Sequence, residues 1–188
     1  MLHARRILFS VSLGAILCAG LGATTLEHMS LAKMAGSADL IVQAECTANS
    51  TAWDAGEIWT FTSFDIESVW KGAAGNRRVT VRLLGGKVGG LTSTVSGVPR
   101  FHPGERVVLF LERTPRGDFS IVSWMQGTFR VRRNPRTGEE FATQDTAAFA
   151  TFDLATRQFQ ASGLRGVPLD MLRDQVAAAL RAKGGNGR

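Results

Sequence analysis

Short runs of β-branched and aromatic residues, separated by turn-forming residues, occupy the middle of this chain and restrict it to a mainly β fold. Six such runs can be read from the sequence, at residues 40–46, 58–70, 79–84, 107–111, 119–124 and 127–132. The run at 107–111 is apolar throughout, which predicts the most buried strand. Strands at this spacing are typical of sandwiches and barrels. We predict a small antiparallel OB-like barrel, because closure also removes exposed strand edges.

The longest run, residues 58–70, alternates cleanly between apolar and polar residues only from Phe64 onward. Phe61 lies three positions before Phe64 and is therefore out of phase with it. We predict a β-bulge near Thr62 and Ser63, which would restore the register of Phe61 and bend the strand. The preceding residues 49–56 contain turn-forming residues, and we predict that they form a loop.

Helical patterns flank the predicted strands on both sides. Ser30 can cap a short helix over residues 31–35. Pro168 can open a second, amphipathic helix near the C-terminus. Its apolar stripe consists of Leu169, Leu172, Val176 and Leu180. We therefore predict a single barrel domain with a C-terminal helix over residues 24–183, followed by a disordered tail at 184–188.

The first 23 residues have the pattern of a signal peptide. Arg5 and Arg6 give a basic start, residues 7–20 are apolar and uncharged, and residues 21–23 are small. The apolar run is shorter than the ~20 residues that a membrane span needs, although an uncleaved anchor is the alternative. No second apolar stretch could cross a bilayer. We therefore expect an exported protein, periplasmic or extracellular, without a transmembrane segment in its mature chain.

Charge and cysteine content narrow the possible partners. The chain has a formal net charge of +6, and much of the excess comes from arginines after residue 100. Arginines alternate with apolar residues near Arg130, which indicates a solvated strand face, and no RNA-recognition signature is present, so we predict no nucleic-acid partner. Cys46 is the single cysteine after the predicted signal peptide. An internal disulfide is therefore excluded, and we predict a buried apolar role for Cys46.

Several segments of the chain resemble a family of exported bacterial proteins to which no function has been assigned. These segments are residues 37–42, 69–72, 79–82, 85–90, 98–111 and 126–129. The order of the strands, with a Lys-Gly pair after the long strand and a Gly-Glu pair before the apolar one, is also similar to that of netrin-like domains of metalloproteinase inhibitors. That similarity implies an OB-type barrel. It implies no inhibitory function, because those inhibitors act through an N-terminal cysteine that this chain lacks.

The residue types that carry chemistry are sparse and scattered. His28, His102 and Cys46 lie in three different predicted elements without ligand spacing, so we predict no metal site and no cofactor. Asp65 and Glu67 share one face of a strand, and an outward polar face accounts for them better than glycoside cleavage does. We therefore assign no catalytic residue.

Paired glycines after the strand at 79–84 form the most distinctive motif. Gly85, Gly86, Gly89 and Gly90 surround Lys87 and Val88. A β-branched segment follows instead of a helix, and the motif lacks the Lys-Ser/Thr ending of a phosphate loop. We therefore interpret it as a bulged or mobile connection on the barrel rim that can bind a ligand.

The favoured function is non-enzymatic binding or structural support in the cell envelope or outside the cell. The hypothetical binding site contains Gly85, Gly86, Lys87, Gly89, Gly90, His102 and Trp59. An envelope protein, a peptide or a glycan could be the partner. One alternative is a small secreted hydrolase that uses His102 with Ser93 or Ser96 and an acidic residue behind the histidine. A further alternative is protease inhibition by insertion of the glycine loop.

Overall fold

The computed structural model describes residues 28–148, 150–153, 157–161 and 163–185. Helix α1 spans Leu31–Ser37, helix α2 spans Leu169–Gly185, and a 3-10 turn spans Asp145–Ala148. The strands are β1 (Leu40–Asp54), β2 (Glu57–Lys71), β3 (Arg78–Leu84), β4 (Gly86–Val88), β5 (Leu91–Ser93), β6 (Arg106–Arg113), β7 (Phe119–Ile121), β8 (Thr128–Arg133), β9 (Glu140–Gln144), β10 (Ala150–Asp153), β11 (Gln158–Ala161) and β12 (Val167–Pro168). The prediction of a mainly β fold with a helix toward each end is confirmed.

The main sheet contains eight strands in the order β1-β2-β3-β7-β6-β8-β9-β12, and β1 also pairs with β6. Most of its pairings are antiparallel, whereas β3 and β7 run parallel and meet through one pair, Val81 with Phe119. As a result, each of β1, β2, β3, β7 and β6 is hydrogen-bonded to two other strands of the same set. The pairs β4–β5 and β10–β11 form separate two-stranded sheets.

Two apolar clusters lie on opposite faces of β6. Val107, Leu109 and Leu111 belong to one cluster, which also takes residues of β1, β2 and β3. Val108 and Phe110 belong to the other, which lies against the two helices. All five side chains have an exposed fraction of 0%. The prediction of a most buried strand is therefore confirmed, and burial on both faces explains why the sequence of β6 does not alternate.

The predicted loop at residues 49–56 is wrong in extent. β1 continues to Asp54 and β2 begins at Glu57, so only Ala55 and Gly56 form the turn. Both have positive φ, 53° and 84°. That conformation suits a two-residue hairpin, because its twist matches that of the flanking strands. The polar residues before the turn are therefore strand residues.

The predicted bulge in β2 lies on the partner strand instead. Cys46 pairs with Phe64 and Asn49 pairs with Thr62, so three steps along β1 match two steps along β2. The extra residue in β1 keeps Asn49 on the face that carries Cys46. Thr62, with 1% of its surface exposed, takes the inward position of β2. Phe61 therefore lies on the opposite face from Phe64, and no bulge brings it to the core.

Lys71 and Gly72 join helix α1 to the sheet. The ammonium of Lys71 donates hydrogen bonds to carbonyl oxygens at the end of α1, including that of Ala35 at 2.8 Å. The negative end of the helix dipole also stabilises a cation at this position. At Gly72, with φ of 80°, a Cβ atom would collide with the carbonyl oxygen of Asp39. The Lys-Gly pair at the end of the long strand therefore has a structural role.

Both predicted helices begin as expected, and both end two residues later than predicted. The backbone N–H of Lys33 donates to the Ser30 hydroxyl at 3.2 Å, so Ser30 is the N-cap of α1. Helix α2 begins after Pro168 and reaches Gly185, which extends it past the predicted start of the tail. The predicted signal peptide and residues 186–188 lie outside the described residues. Over residues 169–182, where burial is described, the buried residues of α2 are Leu169, Leu172 and Val176.

Candidate functional site

A cleft of about 270 Å³ lies between strand β4 and the segment of residues 98–102, and we name it the hairpin cleft. Gly85, Gly86, Lys87 and His102, all predicted as binding residues, line it together with residues of β1, β2 and β3. The structure therefore brings the first pair of glycines and the histidine to one place, although they are far apart in sequence.

Hydroxyl and amide side chains form the floor of the hairpin cleft. Thr51 lies opposite Thr60 across the β1–β2 pair, and Asn49 lies opposite Thr62. Thr60 and Thr62 share the face of β2 that carries Phe64 deeper in the core, because side chains two residues apart point the same way. One continuous face therefore changes from apolar to polar where the cleft begins.

The threonines of the floor hold the glycine hairpin. The Thr60 hydroxyl donates to the carbonyl oxygen of Gly85 at 2.6 Å, and the Thr51 hydroxyl donates to that of Lys87 at 2.5 Å. A Cβ atom on Gly86 would lie 2.6 Å from Thr60 Oγ1 and 2.8 Å from Thr51 Cγ2. Gly86 also has a φ of 145°. The first glycine pair thus permits close backbone approach to β1 and β2.

The second glycine pair makes the tip of the hairpin. Val88 pairs with Leu91 across the β4–β5 ladder, so Gly89 and Gly90 form a two-residue turn. Gly89 has a φ of 59°, and nothing lies within 4 Å of a Cβ atom built on either glycine. These two glycines are outside the lining of the hairpin cleft. The motif is a formed hairpin and leads into strand β5 rather than into a helix.

The opposite wall of the hairpin cleft is held by aromatic and charged contacts. The Phe101 ring meets the Phe64 ring edge-on at 5.0 Å. The Asn49 amide donates to the Phe101 carbonyl oxygen at 2.8 Å. The Arg130 guanidinium lies 4.6 Å from the centre of the Phe101 ring and donates to the carbonyl oxygen of Arg100 at 2.8 Å. The wall is therefore tied to β1, β2 and β8.

Arg130 is the centre of a partly buried ion-pair cluster behind this wall. Its guanidinium makes a two-pronged contact with Asp145, at 2.9 Å from Nε and from Nη2, and also pairs with Glu105. Burial alone would lower the pKa of Arg130, but the two carboxylates raise it above its usual value. His102 Nδ1 lies 3.2 Å from Glu105 Oε1, and the histidine side chain is 80% exposed.

The rim of the hairpin cleft is cationic. Lys87, Arg100 and His102 are exposed residues of its lining. Among the residues that the structure describes there, none is an aspartate or a glutamate. Lys87 and Arg100 therefore attract anionic groups, because the described lining holds no carboxylate to neutralise them, whereas His102 lies next to Glu105 outside the lining.

The residues considered for catalysis are engaged elsewhere. The described lining of the hairpin cleft contains no serine or cysteine, so neither Ser93 nor Ser96 lines it together with His102. Asp65 pairs with Arg78, and this hydrogen bond lowers the pKa of Asp65. Glu67 accepts hydrogen bonds from Arg106, which lower the pKa of Glu67. Two lowered pKa values do not fit the raised pKa of a general acid in glycoside cleavage.

Trp59 lies apart from the other predicted binding residues, in a second cleft of about 330 Å³. The Arg82 guanidinium stacks 3.9 Å from the centre of its ring and forms an ion pair with Asp54. The indole N–H of Trp59 and the Nε–H of Arg82 are buried without a hydrogen-bond partner. The sequence analysis missed Arg82; the signal was a charged residue between Val81 and Leu83, in an otherwise apolar part of the strand.

Cys46 has an exposed fraction of 0%, so its predicted burial is confirmed. Burial raises the pKa of the Cys46 thiol, and the nearby negative charge of Glu105 raises it further. In the described part of the chain, no three histidine, cysteine or carboxylate residues gather as metal ligands would. None of the helices described is both long and apolar enough to cross a bilayer.

Comparison with known proteins gives no assignment. No protein-family model matches this chain. A search of curated protein sequences also finds no match.

Proposed function

We propose that this chain is an exported binding protein and that the hairpin cleft is its ligand site. The observation that carries the proposal is the change of one inner strand face from apolar to polar at the cleft. A polar face turned inward contributes less to packing than apolar side chains would, whereas convergent polar groups in a cleft are typical of ligand sites. Membership of the exported family that the sequence resembles is part of the same proposal.

The proposed architecture is an OB-like barrel made of β1, β2, β3, β7 and β6. The pairing of each of these strands with two others of the set supports it. OB barrels bind their ligands on one strand face and the adjoining loops. The hairpin cleft has a comparable composition, since it combines a strand face with the glycine hairpin and the segment of residues 98–102.

Export is proposed from the first 23 residues, which have a signal-peptide pattern. The mass of the protein recovered from the periplasm or the culture medium tests this step. We expect a mass that corresponds to loss of about 23 residues. Recovery of the full-length chain in the cytoplasm alone would contradict export, whereas a full-length chain in the membrane fraction would favour the uncleaved anchor.

Ligand binding can be tested by calorimetry with the exported protein and a defined panel of neutral glycans, acidic glycans and short peptides. His102→Trp fills the rim of the cleft, and the exposure of His102 makes a folding defect unexpected. We expect it to weaken binding of the active ligand at least ~10-fold, because the bulky ring occupies the ligand volume. Arg136→Trp is the matched control, since Arg136 is an exposed turn residue between β8 and β9.

The outcomes of this experiment distinguish an error in the proposed site from an error in the proposed function. A ligand that binds the wild type and the His102→Trp variant equally well would show that the hairpin cleft is not the site. A panel in which no member binds would contradict the binding function itself. The proposal does not extend to catalysis, because neither Ser93 nor Ser96 is among the described residues that line the cleft with His102.

A further inference from the structure

We infer that the hairpin cleft selects an acidic saccharide, that is, a sugar ring that carries a carboxylate or a phosphate group. This inference rests on the proposed function and adds the chemical class of the ligand. Three features of the cleft support it: the hydrogen-bonding capacity left on its floor, the charge of its rim and its size.

The floor presents hydrogen-bond acceptors. The hydroxyl groups of Thr51 and Thr60 donate hydrogen bonds to carbonyl oxygens of the hairpin. The Thr62 hydroxyl donates to Asn49 Oδ1 at 2.7 Å. A hydroxyl group has one hydrogen to donate and two lone pairs that can accept. With their hydrogens already used, the oxygens of Thr51 and Thr60 can only accept from a ligand, whereas Thr62 is buried beneath them with 1% of its surface exposed. The matching ligand surface carries several O–H donors, as a sugar ring does.

The rim presents positive charge and donors. Lys87 and Arg100 supply the positive charge, His102 adds a ring that contacts Glu105 outside the lining, and no carboxylate is found in the described lining. Three other clefts differ in this respect. The cleft at Trp59 and the one beside β3 both contain Asp118, and the groove beside the start of α2 contains several carboxylates. Of these four clefts, the hairpin cleft is therefore the one that favours an anion.

The size and the apolar edges of the cleft limit the ligand. A volume of about 270 Å³ is just below the ~300–1,000 Å³ of ordinary ligand sites, which limits the ligand to a small molecule such as one or two sugar rings. Leu83, Val98 and Pro99 supply apolar surface beside the polar floor. Sugar rings have C–H faces as well as hydroxyl edges, so this mixture is suited to them, whereas a bare inorganic anion would leave the floor and these edges unused.

The test is calorimetry of the exported protein with four probes. They are a digalacturonate, its methyl ester, galactose 6-phosphate and inorganic phosphate. The methyl ester keeps the rings and the hydroxyl groups of the digalacturonate but removes its charges. We expect at least one of the two acidic sugars to bind at least ~10-fold more tightly than both the ester and inorganic phosphate, since each comparison removes one class of contact. The preferred acidic sugar then identifies carboxylate or phosphate as the recognised group.

Variants locate the charge recognition. Lys87→Gln and Arg100→Gln should each weaken binding of the acidic sugar about 10-fold, the loss expected for roughly one charge-assisted hydrogen bond, and should weaken the weak ester binding by a smaller factor. Arg136→Gln removes a cation from a turn outside the cleft and should have no effect. Equal losses for the acidic sugar and for the ester would show a structural effect of the substitution and would overturn the assignment of these cations.

Other results would overturn the ligand class while leaving the binding function intact. If digalacturonate and its ester bind with equal affinity, and if His102→Trp abolishes the binding of both, then the cleft does not select an acidic group. If inorganic phosphate binds as tightly as the sugars, then the cleft does not select a saccharide. Failure of all four probes while a peptide or neutral glycan binds in the cleft would overturn the inference alone. Failure of every ligand would contradict the proposed function as well.

Discussion

Replacement of Arg130 by methionine should destabilise the folded protein by about 3 kcal/mol. Methionine keeps an apolar stem but removes the guanidinium, which lies over the Phe101 ring and contacts Asp145, Glu105 and the carbonyl of Arg100. Removal of the cation leaves the two carboxylates close together without their counterion.

The magnitude follows from the burial of the pair. Loss of one partner of a fully buried ion pair weakens stability by about 3–5 kcal/mol, and a hydrogen bond to a charged group contributes about 1.5–3 kcal/mol. The side chains of Arg130 and Asp145 are 24% and 16% exposed, so water screens part of the interaction. The contacts also share one guanidinium and cannot be added. The lower end, about 3 kcal/mol, is therefore expected.

Urea unfolding followed by tryptophan fluorescence measures the change. The transition midpoint should fall while its slope stays constant, because the surface exposed on unfolding is the same. Arg132→Met is the matched control, since Arg132 lies two residues along β8 with an exposed side chain; it should change stability by less than about 0.5 kcal/mol. Combination of Arg130→Met with Asp145→Asn should give a coupling energy above about 1 kcal/mol. A loss below about 1 kcal/mol, or one equal to that of the control, would refute this account of the cluster.

Four other predictions concern the hairpin, the thiol and the acid limit of stability. Gly86→Ala should lower stability by about 2 kcal/mol and expose the β4–β5 hairpin to proteolysis, because a Cβ collides with β2 and φ is 145°; resistance equal to the wild type would contradict it. Gly89→Asn should leave the unfolding midpoint unchanged within about 0.5 kcal/mol, because asparagine tolerates a φ of 59° in open space. Cys46 should react with a thiol reagent only at the rate of unfolding, since its thiol is buried with a raised pKa; fast labelling under native conditions would disprove this. Arg106 lowers the pKa of Glu67, so Glu67 stabilises the fold above its usual pKa, and the stability difference from Glu67→Gln should shrink as the pH falls below about 4; a difference independent of pH would count against the pairing.

The elements that sequence analysis predicted best are those whose residues have one role. The apolar run of β6 meets only other apolar residues, and Ser30 and Pro168 act on their own helices. The second half of β1 was predicted as a loop because Asn49 and Thr51 are polar. They are polar because they face a cleft. The cleft is formed by β2 and the hairpin, so the residues next to Asn49 and Thr51 in the sequence do not reveal it.

The candidate site was predicted in part for the same reason. Gly86 and His102 were named from local signals, and the structure brings both to the hairpin cleft. Trp59 was grouped with them because of its residue type, but it lies in another cleft. The phase of β2 decides this point, since residues at even and odd positions lie on opposite faces. Phe61 was placed on the wrong face because the bulge lies in β1. A bulge in one strand cannot be read from the sequence of the strand that pairs with it.

The burial of β6 on both of its faces has a consequence for the way this protein unfolds. Because the helical layer and the strand set pack on opposite faces of the same strand, release of either layer exposes one apolar face of β6 and weakens the strand on which the other layer packs. Backbone amides of β1 and β6 should therefore exchange with solvent deuterium only when the whole domain unfolds, whereas those near Gly89 should exchange through local opening. The hairpin that borders the proposed ligand site can thus fluctuate on a support that unfolds as one unit.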